Sequence, residues 1–170
     1  HFVIQAFKQI AKPGEELVII GQAYHREYLN QLQEMAKGAS IRFEHECSDE
    51  QLIHHYQTSR ANVLASTYID YFGQSVVLPE LMGFTLLEAQ ACGTPAICTR
   101  VGGMPEFVLH GKSGYVCQDQ SVAELSQSFR AVLDMDEATF SKMSESARQW
   151  IETFSWKNVV QSHLELYSRK

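Results

Sequence analysis

Residues 79–95 read PELMGFTLLEAQACGTP, and this stretch predicts a short helix that is entered through a sharp turn. Pro79 keeps the beginning of the stretch out of regular helix, and Gly83 allows the turn. Residues 84–92 then form the predicted helix, which Gly93 ends. Because this helix is almost wholly apolar, we expect it to be buried on most sides.

Two glutamates in this stretch, Glu80 and Glu88, indicate what it binds. A glutamate inside an apolar helix needs a partner, since an unpaired buried carboxylate is costly. Helical side chains lean toward the N-terminus, so we expect Glu88 to project toward the turn at 83–85, where free N–H groups form an anion site. The N–H groups suit a phosphate and the carboxylate suits hydroxyl groups. The pattern therefore predicts a nucleotide-sugar site.

The wider pattern identifies a family. Seven residues separate Glu80 from Glu88, Gly83 and Phe84 lie between them, and the stretches ACGTP (91–95) and GGMPE (102–106) follow. This combination resembles the donor-binding half of glycosyltransferase family 4, whose members are retaining enzymes with the GT-B fold. The resemblance implies a glycosyltransferase, specifically a hexosyltransferase.

The resemblance implies roles for individual residues. Glu88 binds the ribose hydroxyl groups, and Glu80 is the candidate catalytic residue, in contact with the transferred sugar near its reacting carbon. Backbone N–H groups from Gly83 to Leu87 bind the sugar and the diphosphate. Gly21 and Gln22 approach the nucleotide, and Glu46 and Cys47 hold its base through backbone atoms. The full set of predicted donor-binding residues is Gly21, Gln22, Glu46, Cys47, Glu80, Gly83, Phe84, Thr85, Leu86, Leu87 and Glu88.

Other interpretations of the two glutamates stay open. Glu88 is alternatively a helix residue paired with a Lys or Arg, and Glu80 a solvated loop residue. In many members of the family the first glutamate directly follows a strand end, whereas residues 67–78 intervene here.

The resemblance also implies the activity of the complete enzyme. It transfers a hexose from a nucleoside diphosphate sugar to a glycan or lipid-linked acceptor in polysaccharide or glycolipid synthesis. UDP-glucose is the favoured donor, and ADP- and GDP-sugars remain open. The family usually needs no metal, so no cofactor is expected. The rival predictions are a nucleotide-sugar epimerase of the same overall fold and a non-catalytic nucleotide-binding or interaction module.

The order of elements predicts the fold. Apolar runs typical of buried parallel strands alternate with helical periodicity, which favours an α/β fold with a doubly wound parallel sheet flanked by helices, Rossmann-like, over residues 1–170. The predicted strands are 17–20, 41–44, 61–65, 95–99 and 115–117, and the predicted helices are 1–11, 24–37, 48–59, 84–92, 122–133, 136–154 and 156–167. Ligands bind at the carboxyl ends of the strands in such sheets.

The chain begins inside a helix without a cap, which suggests a domain truncated at its N-terminal edge. In the resembling family, the Arg and Lys that clamp the diphosphate precede this helix, and a separate domain binds the acceptor. We therefore expect this part of the protein to bind donor weakly and to be inactive alone.

Composition excludes several classes of function. The net charge of -6 argues against nucleic-acid binding, which requires a basic face. No apolar run is long enough to span a membrane and no signal-peptide pattern is present, although peripheral association of the full protein with a membrane stays open. The four cysteines show no close pairing, which favours reduced core thiols and a cytoplasmic location. His54 and His55 complete no metal-binding motif, so no metal site is expected.

Overall fold

Helices and strands alternate along the chain in the computed structural model, which describes residues 1–168. The strands are β1 (Leu17–Ile20), β2 (Ile41–Glu44), β3 (Asn62–Leu64), β4 (Ala96–Thr99) and β5 (Gly114–Cys117). The helices are α1 (Phe2–Ile10), α2 (Arg26–Ala36), α3 (Asp49–Thr58), α4 (Phe84–Ala91), α5 (Val122–Leu133), α6 (Glu137–Glu152) and α7 (Trp156–Ser168), with a 3₁₀ helix at Met104–Phe107. The predicted order is confirmed. The last two residues of the predicted domain, 169–170, lie outside the described residues.

All strand pairs are parallel, as predicted, but they form two hydrogen-bonded sheets rather than one. β1 pairs with β2, and β3, β4 and β5 pair in that order. The N–H groups of Leu17 and Gly21 bond to the β2 side, so those of Val18 and Ile20 point to the opposite edge. Strand β1 is half-buried throughout whereas β4 is fully buried, and β4 is therefore the interior strand of the larger sheet.

Helices cover both faces of the three-stranded sheet, which confirms the α/β architecture. Side chains of β4 alternate between the two faces. Ile97 packs in a core with residues of α1 and α5, among them Phe7 and Leu125. Ala96 and Cys98 point the other way and pack with α4 and the 3₁₀ helix. One strand thus contributes to two buried layers.

Local capping fixes the helix nearest the end of β2. Ser48 accepts the N–H of Gln51 and the Gln51 side chain accepts the N–H of Ser48, so α3 begins with a capping box. The cap fixes the beginning of α3 at Ser48, shortly after β2 ends at Glu44.

The long segment between β3 and α4 is partly ordered by its own hydrogen bonds. Asp70 accepts the N–H groups of Phe72 and Gln74, and Ile69 pairs antiparallel with Ser75, which makes a tight hairpin. The Tyr68 N–H donates to Asp119 at 3.1 Å, so the hairpin is tied to the segment that follows β5. The segment therefore reaches α4 from a defined direction.

Candidate functional site

Helix α4 begins at Gly83, in a backbone conformation that favours glycine. Gly83 has a φ of 76° and is the N-cap residue. A Cβ at this position would lie 3.0 Å from Leu64 and Leu86 side-chain atoms and 3.1 Å from Met104. Both the left-handed conformation and the crowded surroundings therefore require glycine here.

Glu80 folds back over the start of α4. Its Oε1 accepts the N–H of Gly83 at 2.9 Å and that of Met82 at 3.2 Å. The carboxylate thus fills part of the predicted anion site. The N–H groups of Phe84 and Thr85 have no acceptor among residues 1–168, and Glu80 Oε2 makes no hydrogen bond within the same part of the chain.

The predicted set of five N–H donors is therefore only partly available. The Gly83 N–H is bonded to Glu80, and the Leu86 N–H donates to the Gly83 carbonyl at 2.8 Å. These two positions do not supply free donors as predicted, because the protein itself satisfies them. Of the other three residues, Leu87 is half-buried, and Phe84 and Thr85 are exposed and carry the N–H groups that face outward at this end of the helix.

A turn after β4 holds the Glu80 segment in place. The Gly103 N–H donates to the Leu81 carbonyl at 2.8 Å, and a Cβ on Gly102 would collide with the Glu80 carbonyl. The Gly102 N–H also donates to the Tyr68 hydroxyl at 3.0 Å. The two glycines therefore let another part of the backbone come close, and that backbone is the one of Glu80 and Leu81.

Glu88 is exposed, so the prediction that its carboxylate is buried is wrong, although the carboxylate does have a hydrogen-bond partner. The side of α4 that carries Phe84, Thr85 and Glu88 is open, and only the side with Leu86 and Ala89 is fully buried, while Leu87 is half-buried. An apolar sequence does not reveal which side of a short helix the rest of the fold leaves uncovered.

Tyr56 is a residue of the site that sequence reasoning missed. It lies on α3, is 7% exposed, and donates its hydroxyl to Glu88 Oε2 at 3.0 Å. Burial, together with this bond, raises the pKa of Tyr56 far above its usual range, so the phenol stays protonated and remains a donor. The sequence shows a tyrosine on the apolar side of α3, which indicates that its ring is buried. It does not show that its hydroxyl bonds to Glu88.

The predicted nucleotide contacts at the ends of β1 and β2 lie next to each other. The Gln22 side chain donates to the His45 carbonyl at 2.8 Å, and the Gly21 N–H donates to the Glu44 carbonyl at 3.0 Å. Glu46 is exposed and Cys47 is half-buried in the loop that follows. The structure thus brings these four predicted residues to one edge of the β1–β2 sheet.

An open groove of about 460 Å³ runs beside this loop and is rich in carboxylates. Its lining residues are Glu44, Glu46, Glu50, Gln51, His54 and His55. Neither Glu80 nor Glu88 lines it. Negative charge in the groove disfavours an anionic ligand there, which leaves the α4 start as the candidate anion site.

Two residues that line the groove, Glu44 and His55, form a set of possible metal ligands together with Cys47, which the sequence did not predict. Donor atoms of Glu44, Cys47 and His55 all lie within 4.8 Å of one another. Spacings of three and eight residues match no zinc motif, so the sequence alone does not reveal them.

Among the described helices, none is long and apolar enough to cross a membrane.

Comparison with known sequences places this geometry in context. A family model described as glycosyl transferases group 1 matches residues 1–150. A glycogen synthase of Mycobacterium tuberculosis is 29% identical over 171 residues, which cover 98% of this chain and 38% of that protein. A D-inositol 3-phosphate glycosyltransferase of Pseudarthrobacter chlorophenolicus is 37% identical over 95 residues, 54% of this chain and 22% of that protein. The chain spans well under half the length of these relatives.

Solved structures share the fold. Anabaena Alr3699/HepE, in complex with UDP and glucose, has a TM-score of 0.79 at 18% identity over all of this chain and 44% of that one. Sucrose-phosphate synthase from Thermosynechococcus elongatus has a TM-score of 0.75 at 23% identity over 98% of this chain and 40% of that one. At these identities the likeness shows the fold alone, and it agrees with the predicted Rossmann-like half of a GT-B protein.

Proposed function

This chain belongs to the group 1 glycosyltransferases, and we propose that it forms the donor-binding part of a retaining hexosyltransferase. The observation that carries the proposal is the start of α4. Two N–H groups, those of Phe84 and Thr85, have no acceptor among the described residues, and the carboxylates of Glu80 and Glu88 lie on the same short stretch. Donors for phosphate thus adjoin acceptors for hydroxyl groups.

Each group has a distinct role in the proposal. The Phe84 and Thr85 N–H groups and the positive end of α4 bind the diphosphate, and they stabilise the charge that develops as it leaves. Glu88, oriented by Tyr56, accepts the ribose hydroxyl groups. Glu80, whose Oε2 is free within the described chain, contacts the sugar and stabilises positive charge at its anomeric carbon. Since this division of labour asks nothing of a metal, we propose transfer without one.

Substrates are proposed from the relatives. UDP-glucose is the proposed donor, since HepE, which shares the fold, is found in complexes with UDP and with UDP-glucose. The proposed acceptor is a glycan or a lipid-linked acceptor, and the glycogen synthase among the sequence relatives supports the glycan. It would be held by a domain other than this one, and the reaction would belong to polysaccharide or glycolipid synthesis in the cytoplasm.

One observation favours a second candidate, a module that binds nucleotide without chemistry. Glu80 Oε1 is committed to the N–H groups of Met82 and Gly83, so the carboxylate has a structural task of its own. If that task is its only one, free UDP and UDP-glucose bind equally well. Glu80→Gln, which keeps an acceptor oxygen for the turn, then changes neither affinity.

Calorimetric titration of the chain with UDP, ADP and GDP, each free and sugar-linked, tests the proposal. We expect the uridine diphosphate ligands to be the ones that bind. Glu88→Ala should weaken this binding about tenfold, which corresponds to about 1.4 kcal/mol and is typical of hydrogen bonds to a charged group. Glu145→Ala is the matched control, since Glu145 is also exposed and lies on α6. No binding by any of these ligands at millimolar concentration, or equal losses in the two variants, would contradict the donor site.

A further inference from the structure

Three side chains with different donor atoms meet where β2 ends and α3 passes. Glu44 is the last residue of β2, Cys47 lies in the loop that follows, and His55 lies on α3. Their oxygen, sulfur and nitrogen atoms are all within 4.8 Å of one another, and His55 Nε2 is 2.9 Å from Glu44 Oε2. The predicted role of Cys47 in nucleotide binding uses its backbone, so its thiol is not needed there.

This set of donor atoms suits zinc rather than a hard cation. Zinc takes thiolate, imidazole and carboxylate ligands, whereas magnesium and calcium prefer oxygen alone. At zinc distances of about 2.1 Å for nitrogen and oxygen and about 2.3 Å for sulfur, a tetrahedron separates its ligand atoms by about 3.4–3.6 Å. The His55–Glu44 pair, at 2.9 Å, is closer than that spacing, and the distances to the Cys47 sulfur are at most 4.8 Å. All three residues are half-buried, so the side-chain rotations that a bound ion requires are not blocked by full burial.

The surroundings orient the ligands and attract a cation. Arg42 forms an ion pair with Glu44 Oε1, which leaves Oε2 directed at His55. A partner that fixes a ligating carboxylate in this way is typical of metal sites. The groove beside the three residues is also lined by Glu46 and Glu50, whose charge favours a cation. The capping box of α3 holds the helix that carries His55 in position.

We propose that Glu44, Cys47 and His55 bind one divalent ion of the zinc class, with water in the fourth position. The ion would lie at the end of β2 in the acidic groove, apart from the Glu80 and Glu88 carboxylates, which do not line that groove. Because Glu46 and Cys47 also belong to the predicted nucleotide-binding residues, the ion is tested without nucleotide, so that its binding and the proposed glycosyl transfer can fail separately.

Titration with Co²⁺, under reducing conditions and with no nucleotide present, tests this site. Thiolate coordination gives a sulfur-to-cobalt charge-transfer band, and tetrahedral geometry gives intense visible bands. We expect both to appear with one ion per chain, and Zn²⁺ to displace the cobalt. Cys47→Ser should abolish the charge-transfer band, and His55→Gln should weaken zinc binding at least tenfold by calorimetry.

Matched controls use the neighbouring residues of the same types. Cys92→Ser removes another half-buried thiol, and His54→Gln removes the adjacent imidazole. Both should leave the ion affinity unchanged, and circular dichroism should show that all four variants fold. A cobalt complex without the sulfur band, or zinc binding that survives both Cys47→Ser and His55→Gln, would overturn the proposal.

Discussion

Replacing Gly83 with alanine tests the structure at the start of α4. A left-handed conformation costs a residue with a Cβ about 1–2 kcal/mol. The new Cβ would also lie 3.0–3.1 Å from atoms of Leu64, Leu86 and Met104, and overpacking of this kind costs about 1–3 kcal/mol. We therefore expect Gly83→Ala to lower the free energy of unfolding by about 2–5 kcal/mol.

Gly111→Ala separates the two contributions. Gly111 has the same φ of 76°, but its added Cβ would meet nothing within 4 Å, so only the conformational cost of about 1–2 kcal/mol applies. Urea unfolding, followed by the fluorescence of Trp150 and Trp156, measures both losses, and equal m-values ensure that they are comparable. The difference between the two variants is the cost of crowding around α4.

A difference of about 1–3 kcal/mol between the two variants is the expected result. Equal losses would mean that Leu64, Leu86 and Met104 do not enclose Gly83 as described. These three side chains would then not fix the turn from which Phe84 presents its N–H group, and the proposed anion site would not be preorganised by them.

Two further predictions concern a contact of the site and the pH dependence of stability. Tyr56→Phe removes the hydroxyl that lies 3.0 Å from Glu88 Oε2. Since Glu88 is exposed, we expect the binding free energy of UDP to weaken by about 1 kcal/mol, which is about fivefold in affinity by calorimetry. Unchanged affinity would show that Glu88 does not need Tyr56 for its orientation. Burial raises the pKa of Glu15, but the hydrogen bond and charge of Arg130 and the N–H of Lys12 outweigh it, so the pKa is lowered overall. A lowered pKa stabilises the fold above the unfolded-state value of about 4.3, and this contribution is lost as the pH falls through the folded-state value. The stability advantage over Glu15→Gln in urea unfolding should therefore be complete above about pH 4.3 and decrease as the pH falls below it, and an advantage that does not decrease in that range would contradict the role of Arg130.

Local signals in the sequence were sufficient for most of the fold. Helix α5 lies at Val122–Leu133, as predicted. Its beginning is set locally, because Ser121 is the N-cap residue and accepts the N–H of Glu124. Apolar runs such as 17–20 similarly gave the parallel strands. These features depend on neighbours in sequence, and the division of the strands into two sheets does not. That division follows from which strand edges meet in space, and no local pattern encodes it.

The candidate site was predictable in composition but not in orientation. Both glutamates lie on the predicted stretch, yet nothing in the sequence shows that Glu80 turns back onto Gly83 while Glu88 turns outward to Tyr56. The same limit applies to Glu44 and His55, which meet because the chain reverses between β2 and α3. Contacts between side chains of different elements require the tertiary structure.

The start of α4 combines N–H donors with carboxylates, and this combination suits a sugar joined to a diphosphate better than it suits either the sugar or the diphosphate alone. A ligand that is anionic throughout gains the N–H groups of Phe84 and Thr85 but is repelled by the neighbouring carboxylates of Glu80 and Glu88. A neutral sugar satisfies the carboxylates and leaves the two N–H groups and the helix dipole unused. In the proposed site, a nucleoside diphosphate sugar would place its charge on the N–H groups and its hydroxyl groups on the carboxylates, and would thus satisfy both sets at once. The proposal of a sugar nucleotide therefore follows from charge and hydrogen bonding before any contact with its base is considered.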